Sequence, residues 1–444
     1  MSDVRIDELV RDGDTGPLVE WLRSTSILDI VDELTRLDPA DTAVAFRLLP
    51  RDRALDVFEA LDPVDQQQVL DGLRADRVRS LIEALDPDDR ARLFDEMPAK
   101  VVSRLLAQLS PDERALTTVL LGYPEQSAGR LMSPEFVSLR ASLTAAEALD
   151  KIRREGLDAE TVYALPVLDD HRHLIGITGL RALVLAPPSA RVGELMTTDI
   201  HQVTTDVDQE VAARLVREAG LIALPVVDSE GRLVGVITVD DALRVLEDED
   251  TEDFALAGGA SPLRSPYLSA SAFGLARVRA LWLLLLIVAA ALTVNVLQIF
   301  EATLDEVVTL ALFIPLITGT GGNSGAQAST AVIRAMAVGE VRLGDLPRIV
   351  WREARVGLLL GLMLSTAAAI PISIIYDSDI ARVILFTLII VCTWATTVGS
   401  ALPLLARRAG VDPAVVSAPL ITTLVDASAL IIYFAVAKLV LTQI

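Results

Sequence analysis

The residues best placed to do chemistry lie in the most apolar part of the chain. Asp426 stands in the segment TTLVDASALIIY (422–433), where an ionised carboxylate at mid-bilayer depth costs at least ~2.5–3.5 kcal/mol. It is the one acid deep in any apolar segment. Acids at such depth usually mark ion pathways; an interhelical hydrogen bond or a buried protonated acid is the alternative. A second feature, PLITGTGGNSGAQAST (315–330), has the glycines of a phosphate loop. It lacks the GKS or GKT ending and lies inside an apolar stretch, which argues against nucleotide binding there. Small residues at this depth allow close helix packing. The functional alternative, and the expectation taken forward, is a locally unwound backbone lining a cavity. Third, in VDPAVVSAPLITTLVD (411–426) Asp412 can cap the last helix with Pro413 in its first turn. Pro419 is about two turns before Asp426 on nearly the same face, where a proline frees a carbonyl. Gly322, Asn323, Gln327, Pro419 and Thr423 are the candidates to line a path past Asp426.

The elements that must position these residues are five predicted apolar spans, near 277–300, 306–336, 353–376, 380–406 and 414–440. Charge alternates between them. Arg277 and Arg279 precede the first span, and Glu301, Asp305 and Glu306 follow it. Arg334, Arg342, Arg348, Arg352 and Arg355 follow the second, Asp377 and Asp379 the third, Arg407 and Arg408 the fourth. Placing every arginine cluster in the cytoplasm gives a topology with the N-terminus inside and the C-terminus outside.

The rest of the chain differs sharply. Residues 271–444 hold 11 Lys/Arg and 10 Asp/Glu, which leaves 28 and 51 of the chain's 39 and 61 to residues 1–270. A soluble part of net charge −23 thus precedes a membrane part of +1. Such acidity repels nucleic acid and attracts cations. The single Cys392 excludes an intrachain disulfide and a cysteine-rich zinc site. The opening MSDVRIDELV has no signal-peptide pattern, which places the acidic part in the cytoplasm.

Two repeats organise that part. LDPAD at 37, LDPVD at 61, LDPDD at 85 and LSPDE at 109 recur every 24 residues, with LLPRD, LRADR and EMPAK half-way between. Asp or Ser followed by Pro predicts helix starts, hence stacked helices of about ten residues. Next, LMSPEFVSL (131–139) recurs as LMTTDIHQV (195–203), and LPVLDDHRHLIGI (165–177) as LPVVDSEGRLVGV (224–236). Each copy reads strand–helix–strand–turn–strand–helix. This resembles a tandem pair of CBS domains. Such modules commonly bind adenine nucleotides through a Gly, a Thr or Ser three residues on, and an Asp three further. The second copy has Gly235, Thr238 and Asp241, whereas the first has Gly176, Gly179 and Ala182.

The order helical repeat, CBS pair, acidic connector and five spans is similar to that of the MgtE-type magnesium transporters or channels, with GTGGNSGAQ and DPAVVSAPLITTLVDASALIIY resembling that family's membrane signatures. The resemblance implies a multi-domain membrane protein: a helical domain at 1–128, α/β CBS domains at 129–188 and 189–246, a connecting, plug-like helix at 247–272, and an all-α transmembrane domain at 273–444. It implies a homodimer in the cell (inner) membrane, with each Asp426 facing its twin across a Mg²⁺ path. It also implies a cytoplasmic Mg²⁺ sensor at Asp88, Asp208, Glu210, Asp241, Glu249, Glu252 and Asp253, closing the path when Mg²⁺ is ample. Arg92, Gly220 and Arg244 stand where relatives can carry sensor acids, which implies a gate less sensitive to Mg²⁺. Ala418 and Ala429 also depart from the pattern without removing the carboxylate. Two other functions stay open: a path for Co²⁺, Mn²⁺ or Zn²⁺, and a membrane-tethered sensor of ATP or another adenine nucleotide. No enzymatic role is expected, since His171, His173 and His201 show no metal-ligand pattern.

Overall fold

The repeat at the start of the chain folds as a run of short helices because each LDP or LSP unit both ends one helix and starts the next. The structure, a computed structural model, describes residues 15–263 and 271–441 together with Ile6, Leu9 and Val10. The helices are α1 (Thr15–Ser24), α2 (Ile27–Leu34), α3 (Pro39–Leu48), α4 (Arg51–Glu59), α5 (Pro63–Asp71), α6 (Ala75–Ala84), α7 (Pro87–Asp95), α8 (Ala99–Leu106) and α9 (Pro111–Leu121). Pro39, Pro63, Pro87 and Pro111 occupy first turns, where a missing N–H costs nothing. Of the residues before them only Ser110 accepts a capping hydrogen bond; Asp38, Asp62 and Asp86 have extended backbone but no such bond.

A second device recurs with the same period. Thr42 donates to the Leu34 carbonyl, Gln66 to Phe58, Arg90 to Ile82 and Arg114 to Leu106. Each side chain reaches eight residues back and satisfies a carbonyl near the end of an earlier helix, which would otherwise lack a partner. Phe46, Val57, Phe58, Val69, Leu81, Leu93 and their neighbours form one continuous core behind these contacts.

The CBS pair follows a short helix, α10 (Ala128–Leu131). The first copy comprises β1 (Leu139–Arg140), α11 (Ala145–Glu155), β2 (Ala164–Leu168), β3 (Leu174–Gly179) and α12 (Leu180–Leu185). After α13 (Val192–Leu195), the second comprises β4 (Val203–Thr204), α14 (Gln209–Ala219), β5 (Ala223–Val227), β6 (Leu233–Thr238) and α15 (Val239–Ala257). In each sheet the first strand runs parallel to the second and the second antiparallel to the third. The copies exchange their leading segments: Ser133 pairs with Val236, and Thr197 with Ile177. That exchange explains two glycines. A Cβ at Gly176 would lie 2.5 Å from Met196 Sδ, and one at Gly235 2.6 Å from Met132 Sδ.

The chain divides into two units, one running to Glu249 and the other comprising Asp250–Leu263 and the residues from Ser271. The second unit is helical: α16 (Ala272–Ile299), α17 (Glu301–Glu306), a 3-10 turn at Val308–Phe313, α18 (Ile314–Ala337), α19 (Leu346–Ile375), α20 (Ser378–Arg408) and α21 (Ala418–Val440). Among the described residues four helical stretches are long and apolar enough to cross a bilayer: Ala272–Ile299, Leu343–Ile375, Ser378–Arg408 and Ala418–Val440. The remaining predicted span, the second (306–336), corresponds to α18, whose glycines and polar side chains lower its hydropathy.

Three expectations need correction here. Residues 315–330 are not unwound but lie within the uninterrupted α18. Their small residues serve packing instead: a Cβ at Gly399 of α20 would sit 2.2 Å from the Gly325 carbonyl oxygen, so backbone meets backbone. Asp412 and Pro413 do not start the last helix. Asp412 caps a separate 3-10 turn, Pro413–Val415, while Ser417 caps α21. Pro419 thus sits in a first turn, where its ring displaces no helical bond. Finally, the predicted connecting helix 247–272 is helical only to Ala257. Gly258 and Gly259 stop it, Gly259 at φ +70° in the left-handed region; residues 264–270 lie outside the described part.

Candidate functional site

In the membrane unit α21 carries Asp426 near its middle, half-buried in the chain. Its Oδ1 is buried and has no hydrogen-bond partner. The helix facing it is α18, and the gap opposite the carboxylate exists because Gly322 has no side chain. A Cβ there would come 3.3 Å from Asp426 Oδ1 and 2.7 Å from Thr422 Cγ2. Thr423 Oγ1 donates to the Pro419 carbonyl at 2.9 Å and Thr422 Oγ1 to the Ala418 carbonyl at 3.0 Å, so both hydroxyls are engaged along their own helix. Asn323 and Gln327, one turn apart on α18, are exposed on the surface of the chain. Of the predicted lining residues, the structure therefore brings Gly322 to Asp426 and places the two amides on an open face. Gly259, just past α15, abuts the same end of α21: a Cβ there would lie 3.2 Å from Pro419 Cγ and 3.5 Å from Ser417 Oγ.

In the first unit a different set of acids converges where α7, the 133–135 and 158–160 segments and the start of α15 meet. Asp88 is buried, with Oδ1 unpartnered, and Glu160 also buries an unpartnered oxygen, Oε2. Asp241, buried as well, accepts a hydrogen bond from Thr238 Oγ1 at 2.7 Å and pairs with Arg244 at 3.2 Å. Burial, then the Asp241, Glu160 and Asp89 carboxylates, push Asp88 well above the usual carboxylate range. Burial with Asp241 and Asp86 nearby pushes Glu160 up to about 8. Glu135 is pushed to about 7 by burial and the Glu113 and Asp86 charges, and Glu59 to about 7 by burial and Asp86, Asp89 and Asp56. Like charges in a poorly solvated place disfavour ionisation. The arrangement can thus take up protons or a cation. Beside it Arg90, fully buried, pairs with Glu113 at 2.6 Å and donates to Thr117 and to the Ile82 and Leu85 carbonyls.

The other predicted sensor acids fall elsewhere. Asp208 caps α14, accepting from the Glu210 N–H at 2.8 Å, and Glu210 pairs with Arg214. Gln209 Nε2 donates to Glu249 Oε1 at 3.0 Å, which ties α14 to α15. Glu252 and Asp253 lie on the last turns of α15. Gly220 has a local cause: it ends α14 at φ +63°. Among the described residues no three His, Cys, Asp or Glu side chains converge as ligands of one metal ion.

For the nucleotide motif, Gly235 is required by Met132 and Thr238 bonds to Asp241, so all three residues have structural partners within the chain. Sequence reasoning missed Glu160 and Glu59, which lie outside the repeated motifs, and Asp89 and Glu135, which lie within the LDPDD and LMSPEFVSL motifs but read there as structural. It also missed Tyr433, whose hydroxyl donates to the Leu310 carbonyl at 3.0 Å and fixes α21 to the turn before α18.

Comparison with known proteins matches three families along the chain. The MgtE intracellular N domain matches residues 25–126, the CBS domain 128–188 and 192–248, and MgtE, described as a divalent cation transporter, 314–436. The magnesium transporter MgtE of Thermus thermophilus is 44% identical over 327 residues, 73% of this chain and 72% of that protein. That of Bacillus subtilis is 34% identical over 328 residues, 72% and 70% of the two chains. Among solved structures, a cytosolic domain of the Mg²⁺ channel MgtE in complex with ATP is 39% identical and aligns with a TM-score of 0.51. It covers 55% of this chain and 99% of its own.

Proposed function

The chain belongs to the MgtE family of divalent cation transporters, and from that premise we propose that it is a homodimeric, Mg²⁺-selective pathway gated by cytoplasmic Mg²⁺. The protein is a membrane transporter and not an enzyme. The observation that carries the reading is Asp426, a carboxylate with an unpartnered oxygen in a bilayer-length helix, facing the space left by Gly322. Two copies set around a two-fold axis would bring two such carboxylates together. Mg²⁺ sheds water reluctantly, so the pair would hold it through retained waters and select by size and charge. The exposed Asn323 and Gln327 support a wet or partner-facing side of α18, because amides facing lipid would lack partners. Transport needs no ATP hydrolysis, since a doubly charged ion gains ~4.6 kcal/mol per 100 mV. The arginine clusters support an orientation with the N-terminus and CBS pair inside and the C-terminus outside.

The sensor would be the acids of the cytoplasmic unit. Asp88 and Asp241, with Glu160, supply hard oxygen donors of which two are unpartnered, a chemistry that fits Mg²⁺. Asp208 and Glu210 at the start of α14, and Glu249, Glu252 and Asp253 towards the end of α15, would be the further contributors. The ion would relieve their repulsion only where they are gathered, and so favour that arrangement. ATP or another adenine nucleotide at the CBS pair, through Gly235, Thr238 and Asp241, is supported by the similar cytosolic domain solved with ATP.

Uptake into liposomes, with and without Mg²⁺ on the cytoplasmic side, tests the whole reading. Asp426→Ala is expected to reduce uptake to that of empty liposomes while the dimer stays assembled, and undiminished uptake would remove Asp426 from the path. Competition by Co²⁺, Mn²⁺ and Zn²⁺ in the same assay tests selectivity. Nucleotide binding without any metal flux would favour a tethered nucleotide sensor instead.

A further inference from the structure

We propose that Arg244, backed by Arg92, acts as a built-in cation that holds the helical repeat domain against the second CBS copy without a metal ion. Arg244 Nη1 lies 3.2 Å from Asp89 Oδ1 on α7 and 3.2 Å from Asp241 Oδ1 on α15. One guanidinium nitrogen therefore joins a carboxylate of the helical domain to a carboxylate of the CBS pair. Arg92 Nη2 lies 3.3 Å from the same Asp89 oxygen.

None of the four side chains is bathed in solvent. Their exposures are 9% for Asp241, 16% for Asp89, 27% for Arg92 and 35% for Arg244. Screening there is weaker than at an open surface, and the two carboxylates would repel if left alone. Two arginines against two carboxylates make the group neutral. The planar guanidinium, which stays charged across the accessible pH range, suits the bridging position better than an ammonium would. The polar atoms left without a partner lie deeper, at Asp88 Oδ1 and Glu160 Oε2. The Asp89–Asp241 repulsion across the seam is thus offset by the chain itself, although Asp240 and Asp248, whose charges also act on Arg244 and Arg92, keep the surroundings acidic. The consequence for gating, a cytoplasmic unit that stays gathered at low Mg²⁺, rests on the transport reading above; the contact does not.

The test is a distance measurement on the full chain in nanodiscs, by double electron–electron resonance between spin labels at Asp76→Cys on α6 and Glu218→Cys on α14, both exposed positions. With chelator present, the parent chain is expected to keep one narrow distance. The Arg92→Ala, Arg244→Ala double variant should broaden to longer distances in chelator, its undocked-to-docked ratio rising roughly tenfold or more, and return towards the parent value with millimolar Mg²⁺. Arg244→Lys, which keeps the charge, should stay closer to the parent than Arg244→Ala, so a loss due to misfolding is distinguishable from a loss of charge. Broadening of the parent on chelation, or a double variant as narrow as the parent in chelator, overturns the proposal. Uptake measured in parallel separates the two readings. Mg²⁺ uptake with metal-dependent docking defeats this inference alone, whereas arginine-dependent docking with no uptake defeats the transport reading alone.

Discussion

The clustered acids of the first unit and Asp426 of the helical second unit meet the cost of burial in opposite ways. Around Asp241 the chain supplies its own compensation: a threonine hydroxyl, Arg244, and Arg92 one contact further out. Deeper in the same region Asp88 and Glu160 are gathered with other carboxylates, and the shift is towards holding protons. Asp426 has neither device, for its Oδ1 is unpartnered and faces a glycine. A charge balanced within one chain can serve as structure. A charge left unbalanced implies something from outside the chain, and in a bilayer-length helix that something is water, a cation or a second copy.

The contrast can be broken most directly at its unbalanced end. Asp426→Asn removes the charge but keeps the shape, so uptake should fall to background while the melting temperature holds or rises; unchanged uptake would mean that the charge is not used. At the balanced end the largest structural loss is expected from Arg90→Met. It deletes a fully buried guanidinium together with its bonds to Glu113, Thr117 and two carbonyls. The expected cost is about 3 kcal/mol, read by chemical denaturation of the cytoplasmic transition. A smaller effect should come from pH. Glu160, Glu135 and Glu59 hold protons in the folded state up to about 8, 7 and 7, but release them near 4.5 when unfolded. Between those limits the folded state binds more protons, so stability is fully present below the unfolded values and falls as pH rises through the folded ones. In chelator, the cytoplasmic melting transition should drop by several degrees between pH 6 and 8.5, and Glu160→Gln should flatten that drop; equal slopes would exclude Glu160 as a source. The smallest effect is Tyr433→Phe, which leaves the Leu310 carbonyl buried without its donor. It should cost the membrane unit about 1 kcal/mol, seen as a modest shift in its thermal transition.

Much of the architecture was legible because its causes are local and periodic. The 24-residue spacing of LDP and LSP units marks helix starts through the fixed geometry of proline, and the alternation of strands with turn residues marks the CBS copies. The membrane glycines were legible as a feature but not as a cause. GTGGNSGAQ signals a place where backbone comes close to something, and only the position of Gly399 shows that it is another helix rather than an unwound cavity wall. The last helix misled for a similar reason. Two Asx or Ser positions, each followed closely by a proline, stand before it, and local preference does not say which of the two turns continues.

The site divides along the same line. By itself the sequence determined that an acid occupies a bilayer-length apolar segment, that arginines alternate with acids between the spans, and that the soluble part is strongly acidic, since these depend only on composition and order along the chain. Tertiary structure alone decided which of the many acids matter to one another. Asp88, Glu160 and Asp241 are distant in sequence, and their shared burial and mutual repulsion arise from the packing of α7, the 158–160 segment and α15. The same holds for Arg244, an ordinary helical arginine until folding sets Asp89 and Asp241 on either side of it. Electrostatic energy depends on separation through space and on exclusion of water, and neither quantity exists until the chain has packed.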